Sequence, residues 1–156
     1  MTHPLGLLSF ITGLRARRVH ALMRNHGLAL DLVNAMTVTF ESGTLASIGG
    51  TGNLGDAGGR KQDLQIYCER GSIDIDVEAS RAIIYRPGYD PEPVAFPAEE
   101  NEYRRFHTAN NLVDVILNRA SNGSPGEVGW RAVEILDAAY RSAGQDGEAV
   151  SIEELY

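Results

Sequence analysis

The sequence predicts an α+β fold: a mostly antiparallel sheet with a short N-terminal helix and two C-terminal helices packed on one face. Two observations carry this. The first two thirds of the chain alternate apolar and polar residues in short runs broken by glycine turns, the pattern of antiparallel strands. The final third changes to a helical period, with apolar residues three and four positions apart. The 156 residues, 43% hydrophobic and 22% charged, suit one globular domain that can bury a core without a disulfide or metal staple.

Residues 4 to 13 form the predicted first helix, with Pro4 in its first turn and Gly13 as its C-cap. Val19, Ala21 and Met23 alternate with His20, Leu22 and Arg24 in a weak strand. A stronger one follows, in which Asn34, Met36, Val38 and Phe40 face one way and Val33, Ala35, Thr37 and Thr39 the other. Glu41-Ser42-Gly43 turns the chain, and Thr44 to Ile48 returns as the second arm of a hairpin. A glycine-rich loop spans Gly49 to Gly59. Asp63–Glu69, Ser72–Val77 and Ala82–Arg86 then read as an antiparallel meander, with its first turn at Arg70-Gly71. Pro87, Pro91, Pro93 and Pro97 mark an extended crossing. Phe106, Ala109, Val113, Ile116, Leu117 and Ala120 define a helix over residues 103 to 120, stopped by Asn122-Gly123. Ser124-Pro125-Gly126-Glu127 is a capping box that starts the last helix, with Val128, Ala132, Ile135, Leu136, Ala139 and Ala143 on its core face. Gly144 ends it, and residues 149 to 152 offer a final edge strand.

The net charge of −7 argues against nucleic acid as a partner, because such binding rests on basic side chains neutralising phosphates. Lys61 is the only lysine among fourteen basic residues, so a catalytic lysine has one candidate. Cys68, the only cysteine, excludes an intramolecular disulfide and reads as a buried structural thiol in a strand. No apolar run approaches the roughly 18 residues of a membrane span. The arginines follow the apolar start instead of preceding it, the reverse of a secretory signal, so a cytoplasmic location and no membrane partner are expected.

Gly50-Thr51-Gly52-Asn53-Leu54-Gly55 spells the G-x-G-x-x-G of dinucleotide sites. Its preceding strand belongs to a hairpin, and Gly58-Gly59 fall where the phosphate-binding helix would begin, so a flexible or ligand-edge loop is the expectation and no cofactor is expected on this chain. His3, His20, His26 and His107 stand at no metal-ligand spacing, and no metal is expected. Trp130, Phe106 and Tyr140 sit on predicted helices and read as core packing.

The ordered set of motifs resembles the C-terminal domain of the Gfo/Idh/MocA (glucose–fructose oxidoreductase / inositol dehydrogenase) family. His3 to Leu7 with Ile11-Thr12-Gly13 is similar to that family's segment of a catalytic histidine followed by a helix ending in Leu-x-Gly. Asp31 to Phe40, Gly43 and Ala46-Ser47-Ile48 are similar to its Asp-led strand, glycine turn and return strand. Arg70-Gly71-Ser72-Ile73 resembles its next hairpin, and Phe106–Arg119, Ala132–Ser142 and Val150 its closing helices and strand. Lys61 precedes Gln62 and so does not match the family's Lys-Pro pair, and Gly6 stands where many members carry an Asp.

The resemblance implies that residues 1–156 are a single substrate-binding and oligomerisation domain of an NAD- or NADP-dependent sugar or polyol dehydrogenase, inactive by itself, with the Rossmann domain outside this sequence. It implies His3 as the catalytic acid–base group, since an imidazole that titrates near neutrality suits proton transfer from a carbinol. Asn53, Arg60 and Lys61 in the glycine-rich loop are the candidate substrate contacts, as donors for hydroxyls or a carboxylate. The moderately apolar face of Val33, Ala35, Thr37 and Thr39 suits a homo-oligomer built sheet to sheet. The competing reading is a stand-alone, non-catalytic module that binds a small ligand or a protein.

Overall fold

The computed structural model describes residues 2–53, 62–96 and 106–152. The first helix, α1 (Thr2–Thr12), ends as its glycine predicts: Gly13 takes a φ of +64° and its N–H donates to the Ser9 carbonyl at 2.9 Å. Three antiparallel strands follow, β1 (Ala16–Arg24), β2 (Val33–Phe40) and β3 (Leu45–Thr51). The two-faced reading of β2 holds, with Asn34, Met36, Val38 and Phe40 buried on one side. Strand β4 (Asp63–Cys68) then opens a second run with β5 (Gly71–Asp76), β6 (Arg81–Tyr85) and β7 (Glu92–Pro93). Helices α2 (His107–Ile116) and α3 (Gly126–Ala143) and the short strand β8 (Val150–Ser151) complete the chain.

The α+β class is as the sequence predicts, but the strands form two sheets. One has the order β3-β2-β1-β8 and the other β4-β5-β6-β7. They fall in two compact units, residues 1–58 with 126–156 and residues 59–125. The split follows from pairing: among the described residues β3 is the edge of its sheet, and β4 pairs only with its own hairpin partner β5.

In the first unit α3 packs on β1, and α1 packs on α3. The core between them holds Leu5 and Leu8 of α1, Val19 and Ala21 of β1, Met36, Val38 and Phe40 of β2, and Ala132, Ile135, Ala138 and Ala139 of α3. Small residues on α3 let the helix lie close to the sheet, while Ile135 fills the volume between them. Buried Ser142 stitches the helix to β1: its Oγ accepts from the Ala21 N–H at 2.9 Å and donates to the Glu148 carbonyl at 2.6 Å. Arg131 joins the helices by donating to the Gly13 carbonyl at 2.9 Å and to Glu127 at 2.6 Å. Helix α3 thus starts at Gly126, one residue after the predicted proline, and Glu127 turns toward Arg131.

In the second unit Cys68, the last residue of β4, is exposed and not buried as expected, because the strand leaves it without cover at the turn. The β4–β5 turn depends on Gly71. Its φ is +150°, and a Cβ there would lie 2.0 Å from the Tyr85 carbonyl oxygen, so only glycine fits. Helix α2 is shorter than the predicted 103–120. Asn118 takes a left-handed φ of +54°, and the Asn118 and Arg119 N–H groups close back on Val115 and Asp114 in a Schellman-type stop. Residues 103–105 lie outside the described residues. The predicted apolar face of α2 is not buried: Phe106 is 75% and Ile116 69% exposed. Among the described residues no helix is long and apolar enough to cross a membrane.

Candidate functional site

His3 lies in the first turn of α1, and its side chain is exposed. Asn53 follows the last residues of β3, is exposed, and its backbone N–H donates to Thr51 Oγ1 at 3.1 Å. Both belong to the first unit, and no described hydrogen bond joins them. Arg60 and Lys61, the other two candidate substrate contacts, lie outside the described residues.

The glycine motif can be tested against what a dinucleotide needs. A pyrophosphate cradle requires a strand that turns directly into a helix, with the glycine amides free to face the phosphates. Gly50 instead sits inside β3, paired antiparallel with Asn34, and the Gly52 N–H is taken by the Leu32 carbonyl at 2.8 Å. These residues do not fit a nicotinamide dinucleotide. Gly55 lies outside the described residues. No group of three His, Cys, Asp or Glu side chains with metal-holding geometry occurs among the described residues.

One polar cluster in this unit escaped the sequence reading. Asp31, just before β2, accepts a short hydrogen bond from the Tyr140 hydroxyl of α3 and a second, at 2.8 Å, from the Asn34 amide. Asn34 is only 7% exposed, and its own Oδ1 has no hydrogen-bond partner among the described residues. The Tyr140 hydroxyl, then the Asn34 amide, hold the Asp31 carboxyl below its ordinary range. The same hydrogen bond to Asp31, then burial, pushes the Tyr140 phenol up. A lowered carboxylate stabilises the fold above its unfolded-state pKa, and that contribution is lost as pH falls through the lowered value. A raised phenol contributes below its ordinary pKa and loses that contribution as pH rises through the raised value. The pair is therefore a constant clamp across neutral pH.

This corrects the reading of the helical aromatics as core. Tyr140 is 50% exposed with its hydroxyl in a specific bond, and Trp130 and Phe106 are also more than half exposed. Nothing local in the sequence announces the clamp, because Tyr140 and Asp31 are 109 positions apart. Asp31 was reachable only as the head of the Asp-led strand.

A groove of about 310 Å³ lies on the face of the first sheet opposite α3, lined by His20, Leu22, Ala35, Thr37, Ser47 and Asp146 among others. The predicted second face of β2 is thus open, and Leu22, Val33 and Leu45 stand exposed on it.

No protein-family model matches the sequence, and no curated protein matches it. Solved structures do match its fold. An oxidoreductase domain protein from Kribbella flavida superposes with a TM-score of 0.81 at 17% identity, over 97% of this chain and 48% of that one. The aldose-aldose oxidoreductase from Caulobacter crescentus, solved with glycerol, gives 0.75 at 18% identity, over 96% and 45%. A dehydrogenase from Bordetella pertussis, solved with NADH and UDP-GlcNAcA, gives 0.71 at 18% identity, over 96% and 44%. The chain spans about half the length of the structures it matches.

Proposed function

We propose that this chain, whose fold is that of about half of a Gfo/Idh/MocA-type oxidoreductase, is the C-terminal, substrate-binding and oligomerisation domain of an NAD(P)-dependent sugar or polyol oxidoreductase. The observation that carries the reading is the asymmetry of the matches: nearly all of this chain is covered, against under half of each partner compared above. An aldose oxidoreductase and a dehydrogenase solved with a nucleotide sugar are among them, which favours a polyhydroxylated substrate.

In this reading the nicotinamide cofactor belongs to the other domain, in keeping with the misfit of Gly50 and Gly52 to a pyrophosphate. This chain's share is binding and proton handling. His3, exposed on the first turn of α1, accepts the hydroxyl proton of the substrate carbinol. Asn53 donates its amide to a neighbouring hydroxyl, and Arg60 and Lys61 remain candidate donors by residue type alone. The open face of the first sheet, with small Ala35, Thr37 and Ser47 between exposed Leu22, Val33 and Leu45, is the surface for a second copy of the chain.

The test is a fusion of this chain behind the dinucleotide-binding domain of a matched oxidoreductase, assayed for NADH or NADPH formation with aldoses and polyols. The fusion is expected to turn over where the isolated chain does not, and His3→Ala to lower turnover by roughly 10²–10⁴-fold. A fusion that binds the cofactor yet oxidises no aldose or polyol contradicts the reading. A His3→Ala fusion with unchanged turnover removes the histidine from the mechanism.

A further inference from the structure

We infer that Asp31 is a positioning residue for Asn53: held between the Tyr140 hydroxyl and the Asn34 amide, it fixes the point where the chain leaves β3. The inference rests on the reading of Asn53 as a substrate contact, and it assigns to α3 a share in placing that contact.

The connection can be followed bond by bond within the first unit. Helix α3 is anchored to the sheet by buried Ile135, Ala138, Ala139 and Ser142, so Tyr140 presents its hydroxyl from a fixed support. That hydroxyl and the Asn34 amide occupy both oxygens of the Asp31 carboxylate, which fixes the side chain in position and rotation. The next residue, Leu32, is held on two sides. Its N–H donates to the Arg24 carbonyl at the end of β1, and its carbonyl accepts from the Gly52 N–H, both at 2.8 Å. Gly52 also lies beside Leu32: a Cβ on it would meet the leucine Cδ1 in ordinary contact at 3.5 Å. Asn53 follows directly, its own N–H turned back onto Thr51 Oγ1. From Tyr140 to Asn53 the path is Asp31, Leu32, Gly52, with a hydrogen bond or a peptide bond at every step.

Asn34 supplies the second argument. It occupies the first core-facing position of β2, where the pattern of Met36, Val38 and Phe40 calls for an apolar side chain. The chain instead keeps an amide there that is buried with its oxygen unsatisfied. A buried polar atom without a partner is a cost to folding and calls for an explanation. Among the described residues the one hydrogen bond this side chain makes is to Asp31, so holding that carboxylate is the role the structure assigns to it.

A purely structural role would weaken the unit as a whole, whereas positioning acts on one exit. The experiment compares Tyr140→Phe with Ser142→Ala, which removes a separate polar link from α3, the one to Ala21 of β1, by amide hydrogen exchange and by the NMR signal of the Asn53 side-chain amide. Tyr140→Phe is expected to speed exchange at Gly52 by about tenfold while leaving Ala21 within about twofold, and to move the Asn53 side-chain signal. Ser142→Ala is expected to do the reverse, exposing the Ala21 amide and sparing Gly52. Unchanged exchange at Gly52 in Tyr140→Phe, or an equal rise in both variants, overturns the inference. Tyr140 is half exposed and loses only a hydroxyl, so the variant keeps the core intact. The exchange result reads the placement of Asn53 whether or not Asn53 binds substrate, which Asn53→Ala in the fusion enzyme tests separately.

Discussion

The two units make antiparallel sheets of equal strand number by different means. In the first, one face of the sheet is closed by α3 with α1 behind it, and Leu5, Val19, Val38, Ile135 and Ala138 are almost wholly buried. In the second, Ala82 is the only apolar residue that is buried among the described ones, every residue of β5 is partly exposed, and α2 buries none of its side chains. The first unit rests on packing as well as on its ladder. The second rests mainly on backbone pairing and on turns such as the one at Gly71. The comparison teaches that similar strand patterns leave open how much burial each sheet obtains, and that the residues proposed for chemistry in the described part, His3 and Asn53, stand on the better packed unit. A site needs such support, because its geometry is only as fixed as the elements beneath it.

Truncation of the core tests the first half of this contrast most severely. Ile135→Ala removes a fully buried side chain from between helix and sheet and is expected to cost about 2–5 kcal/mol in denaturant unfolding. A cost below about 1 kcal/mol would mean that α3 does not carry the first unit. The second half is tested by Gly71→Ala, where the added Cβ meets the Tyr85 carbonyl at 2.0 Å and the backbone stays at positive φ. The expected cost is about 1–3 kcal/mol, confined to faster amide exchange in β5 and β6 with β1 and β2 unaffected. Equal loss of protection in both sheets would show that the units do not open separately.

What could be read in the sequence follows from the range of the interactions. The alternation of β2 was legible because a half-buried strand imposes a period of two on consecutive residues, and Gly13 because a left-handed helix end favours glycine. The end of α2 comes earlier than expected because Asn118, which like glycine tolerates the left-handed conformation, takes the cap ahead of the stronger Asn122-Gly123 signal. The exposed face of α2 was misjudged because amphipathicity shows that a helix has an apolar side but not what covers it. In the candidate site, the place of Gly50 in a hairpin strand was legible from the alternation around it. The clamp of Asp31 by Tyr140 was not, since the bond joins a loop to a helix far along the chain and an aromatic at helical spacing reads as core.

The central claim is that this chain supplies the substrate half of a two-domain oxidoreductase and not its cofactor half. Isothermal calorimetry of the isolated chain against NAD(H) and NADP(H) tests this most directly. The account predicts no binding heat up to about millimolar cofactor, because Gly50 is locked in an antiparallel ladder and the Gly52 amide is spent on Leu32. A dissociation constant in the micromolar range for either cofactor would contradict it.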